Sequence, residues 1–88
     1  MWYIIEMVEV QTHNELNKWS KSIKILGVDK EHWRALEYFN RIWKRYKEQL
    51  TFESFVKHGN SVTFFGDRMS CVTVYITQHP FFDIHDEV

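Results

Sequence analysis

Thr12-His13-Asn14-Glu15-Leu16-Asn17-Lys18-Trp19-Ser20-Lys21-Ser22-Ile23-Lys24-Ile25-Leu26-Gly27 is the stretch on which the fold turns. Thr12 followed three residues later by Glu15 has the form of a capping box, in which the Thr hydroxyl accepts from the Glu15 amide while the Glu side chain reaches back. Leu16, Trp19, Ile23 and Leu26 then recur at steps of three and four, the period of one helix face, and Gly27 suits a C-cap. The spacing predicts a helix of about fifteen residues with Lys18, Lys21 and Lys24 along its outer side.

Upstream, Trp2 to Val10 is rich in β-branched and aromatic residues. Trp2, Ile4, Val8 and Val10 share one face of an extended strand, broken only by Glu6, while Tyr3, Ile5 and Met7 share the other. Apolar residues on both faces predict a central strand. Downstream, Asp29 can cap a longer helix from about Lys30 to Leu50. Its stripe is Leu36, Phe39, Trp43, Tyr46 and Leu50, widened by Ala35 and Ile42. Thr51 to Gly59 reads as a short third helix, with a loop as the alternative. Ser61–Phe65 and Met69–Thr77 read as a hairpin joined by Gly66-Asp67-Arg68. Val72, Val74 and Ile76 face the helices in that reading, and Cys71, Thr73 and Tyr75 point the other way. After Pro80, residues 81–85 suit an edge strand, and Asp86-Glu87-Val88 a frayed end.

The resulting order is β-α-α-(α)-β-β-(β). It predicts an α+β fold in one compact domain spanning 1–88: a small antiparallel or mixed sheet packed on one side by two to three helices. Trp19, Trp33 and Trp43 are expected in the helix–helix core, and Trp2 as an exposed anchor.

A chain of 88 residues is near the lower size for a self-sufficient core, but four Trp, four Tyr and seven Phe supply large buried areas. Three Gly and one Pro argue against a disordered or loop-rich chain. Cys71 is the only cysteine, which excludes an intrachain disulfide and suits a reducing setting. Met1 leads straight into Trp2-Tyr3-Ile4-Ile5-Glu6 with no basic region or long apolar run. No signal peptide and no membrane contact are therefore expected. The expected compartment is the cytoplasm, that of a host cell if the gene is viral.

Charge is sorted along the chain. Nine of the eleven Lys and Arg residues lie between Lys18 and Lys47, a stretch carrying a net +6, against −3 for residues 1–17 and −4 for residues 48–88. On the longer helix, at about 100° per residue, Arg34, Arg41 and Arg45 fall in one narrow sector with Tyr38 beside them and Lys44 on the flank. Guanidinium groups at steps of seven and four can take carboxylates or phosphates in pairs. The competing reading is an ordinary solvated face, with Glu37 and Glu48 pairing locally with the bases. The candidate partner-binding set is Arg34, Tyr38, Arg41, Lys44 and Arg45, with Lys18, Lys21 and Lys24 steering the approach.

Other chemistries have weaker patterns. His79, Asp83, His85 and Asp86 lie within eight residues but match no structural zinc spacing, so no metal is expected. Ser61 and Ser70 lack a nucleophile turn, and Cys71 sits mid-strand where an inert buried thiol is expected. No phosphate-cradling Gly loop is present and no cofactor is implied. The expectation is a non-enzymatic regulatory or inhibitory protein that docks its basic, aromatic-edged face on an acidic macromolecular surface, a mode that suits viral inhibitors of host enzymes or defences. An RNA- or single-stranded-DNA-binding module using the same face is the alternative, with a short or structured nucleic acid as partner. A homodimer through the 81–85 edge is the third reading.

Overall fold

The computed structural model describes residues 1–11, 19–49, 54–66 and 70–78. Its elements are β1 (Trp2–Gln11), β2 (Trp19–Asp29), α1 (His32–Gln49), β3 (Ser54–His58), β4 (Ser61–Phe65) and β5 (Ser70–Thr77). The strands form one sheet in the order β2-β1-β5-β4-β3, antiparallel throughout. Among the described residues there is a single helix, and it crosses one face of this sheet.

This architecture overturns the expectation of two to three helices on a smaller sheet. The segment read as the first helix is the edge strand β2. It carries two periods at once: Trp19, Ile23 and Leu26 step helically, yet Ser22-Ile23-Lys24-Ile25 alternates polar with β-branched apolar residues, which suits a strand. Long-range pairing decides between them. β1 carries backbone donors and acceptors along both of its edges; β5 pairs with one edge, and β2 with the other from Trp2↔Asp29 to Gln11↔Trp19. The predicted capping box at Thr12 and Glu15 lies outside the described residues, as do Leu50 and the 81–85 edge strand.

A register shift accompanies this pairing. Ile4 pairs with Gly27 and Ile5 with Ile25, so Leu26 is an extra residue in a β-bulge. The bulge resets the alternation. Ile23, Ile25 and Val28 thereby share one face, while Leu26 joins the core on the other.

The supposed third helix is also a strand, β3. Phe55 lies across from Phe64 and Lys57 across from Val62, and the two-residue turn Gly59-Asn60 closes the hairpin between His58 and Ser61. Gly59 has φ of 58°, a left-handed conformation that a hairpin turn needs and that Gly adopts without penalty. Gly59 is thus a turn residue and not a helix terminator. The β4–β5 hairpin forms with Phe65 opposite Cys71 and the Gly66 amide donating to the Ser70 carbonyl at 3.1 Å.

α1 lays Ala35 and Phe39 into a core with Ile4, Val62, Phe64, Val74 and Ile76, all buried. Leu36, Ile42, Trp43 and Tyr46 pack around it. Each large side chain removed from water here contributes about 1.5–3 kcal/mol. Because the helix meets a sheet and not another helix, the tryptophans are placed differently from expectation. Trp33 is 59% exposed, and Trp2 is half-buried with its ring 4.2 Å from that of His32. Only Trp43 of the expected trio is seen packed against the core; the Trp19 side chain lies outside the described set.

Candidate binding site

Asp29 ends β2 and starts the helix: its carboxylate accepts from the Glu31 amide at 2.9 Å, so the chain turns directly from the sheet edge into α1. The helix then runs diagonally, with His32 against Trp2 at one end and Trp43 near Phe55 at the other. One flank of α1 faces β2 and the other faces β3.

On the β2 flank, Tyr38, Arg41, Ile42 and Arg45 line a groove of about 250 Å³. The helical steps of three, four and seven place these four side chains on one stripe. Gly27 allows the stripe to sit close to the sheet. A methyl group there would lie 3.6 Å from the Tyr38 ring and 3.5 Å from the Ile4 Cδ1, so the phenol rests against bare backbone. Two guanidinium groups at the rim, a phenol at one end and an aliphatic floor suit a carboxylate or phosphate carried on a partly apolar body.

The remaining candidate residues are dispersed. Arg34 lies toward the helix N-terminus, 3.6 Å from the Asp29 carboxylate and 5.2 Å over the Trp33 ring. It therefore stands apart from the Arg41–Arg45 groove. Lys44 lies on the opposite flank over Trp43, and Lys47 over Phe55. Lys21 and Lys24 do not line one side of a helix; three residues apart on a strand, they project to opposite faces. Lys24 is paired with Glu6 on the helix-bearing face, whereas Lys21 is paired with Glu9 on the other. Lys18 lies outside the described residues. The cationic residues that line one groove are Arg41 and Arg45, with Tyr38, while Lys24 shares the helix-bearing face of the sheet. Ile42 was legible only as a core-stripe residue and Gly27 only as a cap; their part in the groove depends on the helix–sheet contact.

Glu6 is held on that face by Tyr46, whose phenol donates to its carboxylate. Burial first, and then the adjoining Glu6, raise the Tyr46 pKa above its ordinary value. Cys71, on the far face of β5, is half-buried and not fully buried as expected. Its Sγ lies 3.8 Å from the Glu9 carboxylate. Burial and the Glu9 charge raise its pKa, disfavouring the reactive thiolate. Ser61 Oγ donates to the His58 carbonyl at 3.2 Å, which occupies the hydroxyl in closing the turn. Among the described residues no three His, Cys, Asp or Glu side chains cluster to hold a metal, and no helix is long and apolar enough to cross a membrane. The His79–Asp86 cluster lies outside that set.

Comparison with family models, with curated proteins and with solved structures returns no match for this chain.

Proposed function

We propose that this protein is a small non-enzymatic regulatory or inhibitory binding protein that docks the β2 flank of α1 on an acidic patch of a partner protein. The observation that carries this reading is the convergence of Tyr38, Arg41, Ile42 and Arg45 on one groove. Arg41 and Arg45 take up the acidic groups, Tyr38 and Ile42 supply apolar contact, and Lys24 adds to the field that steers approach. A protein surface is favoured over nucleic acid by the dispersal of the other bases. With Arg34 beside Asp29, Lys44 over Trp43 and Lys21 on the far face, few phosphates along a strand could be met at once.

The test is fluorescence anisotropy with a labelled oligoglutamate peptide, and in parallel labelled RNA and single-stranded DNA, at about 50 and about 200 mM salt. The peptide should bind, and Arg41→Glu should weaken it at least about tenfold, or about 1.4 kcal/mol, in a protein that still melts cooperatively. Unchanged affinity in that folded variant would overturn the assignment. RNA or single-stranded DNA binding far more tightly than the peptide, with a steep loss in salt, would replace the protein partner by nucleic acid on the same groove.

A further inference from the structure

The sheet has a second face, and α1 does not cover it. The molecule measures 18 Å through its thinnest axis, about the depth of one sheet and one helix. Register places Tyr3, Ile5, Met7, Ile23, Ile25 and Val28 together on this open face at the β1–β2 end. Ile5 is fully buried although it lies on the side away from the helix core, between its register partners Ile25 and Tyr75. Tyr3, Met7 and Tyr75 beside it are half-buried, whereas Ile25 is 44% exposed, Val28 49% and, three strands away on β3, Val56 57%. The apolar surface is concentrated at the β1–β2 end, with Thr73 and Thr63 between it and Val56, and an exposed apolar cluster of this kind marks an interaction site.

We propose that this open face is the interface of a homodimer, in which two copies stack sheet on sheet with their helices outward. Area favours a second copy. Each strand residue covers about 16 Å² of sheet plan, and five strands of these lengths cover about 600 Å². With side-chain relief added, that approaches the roughly 800 Å² per partner of a stable interface. Charge favours it too. Among the described residues the face carries one acid, Glu9, and one base, Lys21, opposite each other in register, with His58 at a corner. A surface so nearly neutral meets its own copy without like-charge repulsion, and the Thr63 and Thr73 hydroxyls near its centre, 3.2 Å apart, already satisfy each other within the protomer. Sheets packed in this way lie about 10 Å apart with interdigitating side chains. The Arg41–Arg45 grooves of the two copies then face outward, away from the interface.

Sedimentation equilibrium of the full chain from about 1 to about 200 μM tests this, since dimer mass depends on protomer concentration. The expected result is a dimer whose dissociation constant rises at least about 100-fold in Ile25→Lys. Val56→Lys, on a different strand of the same face, should weaken it as well and serves if Ile25→Lys fails to melt cooperatively. Arg41→Glu should leave the mass unchanged, which separates this inference from the groove. A wild-type monomer throughout the range would overturn it. So would a dimer that survives both lysine variants, as pairing through the β2 edge would produce.

Discussion

Tyr46 on α1 donates a hydrogen bond to Glu6, the one charged residue on the helix-facing side of β1. The contact spans forty residues of chain and explains how a carboxylate is accommodated within an otherwise apolar strand face. It also pins the C-terminal half of α1 over the sheet, since the same ring lies 6.1 Å from Phe64 on β4.

Removing the Tyr46 hydroxyl should therefore destabilise the protein. Tyr46→Phe leaves Glu6 half-buried without that donor, at a cost of about 1–2 kcal/mol, which urea denaturation at pH 7 would measure. The pH dependence has a definite sign. The folded pKa of Tyr46 lies above its unfolded value, so its contribution is complete below the unfolded pKa of about 10 and is lost as pH rises toward the folded one. The stability gap between wild type and Tyr46→Phe should narrow from pH 9 to pH 11.

Gly27 tests the helix–sheet approach beneath the groove. An added methyl meets Ile4 and Tyr38 at ordinary van der Waals separation, so Gly27→Ala should be neutral or stabilising by up to about 1 kcal/mol through reduced chain freedom. Gly27→Leu should instead cost about 1–3 kcal/mol by forcing Tyr38 aside. Thermal melts of the pair separate the two outcomes, and equal melting of both would show that Tyr38 does not rest on this position.

The β3–β4 turn provides a backbone test free of packing. A side chain at Gly59 would meet nothing within 4 Å, yet φ is 58°. Gly59→Ala should cost about 1–2 kcal/mol from left-handed strain alone, and Gly59→Asn distinctly less. Equal stability of the three proteins would contradict the turn geometry.

Phe39 and Trp33 lie six residues apart on α1 with opposite surroundings. Phe39→Ala opens a cavity in the core and should cost about 3–5 kcal/mol, a large part of the total for a domain of this size. Trp33→Ala, at an exposed position, should cost less than about 1 kcal/mol. A comparable loss for both would place Trp33 in a core.

Elements whose pattern carries one period were legible in the residues. β1 reads as a two-faced strand from Tyr3, Ile5 and Met7 alternating with Trp2, Ile4 and Val8; α1 reads from Leu36, Phe39, Trp43 and Tyr46. The β4–β5 hairpin reads from Val62, Phe64, Val72 and Val74 on either side of Gly66. β2 was misread because Trp19, Ile23 and Leu26 satisfy a helix as well as Ser22-Ile23-Lys24-Ile25 satisfies a strand, and its bulge at Leu26 breaks the alternation that would have favoured the strand. β3 was misread because Gly59 suits a helix end as well as a hairpin. Of the candidate site, Tyr38, Arg41 and Arg45 followed from helical steps alone, whereas Arg34 was drawn toward Asp29 and Lys21 was turned to the far face.

Local patterning thus settled where the helix lies, which side of it is apolar and that the cationic residues concentrate in its neighbourhood. A helix closes its hydrogen bonds within four residues, so its trace is written next to itself. A strand's bonds go to residues far along the chain. Whether Trp19–Asp29 became a strand was decided by the unsatisfied edge of β1, and with it which lysines came to lie on the helix-bearing face of the sheet and which face α1 does not cover.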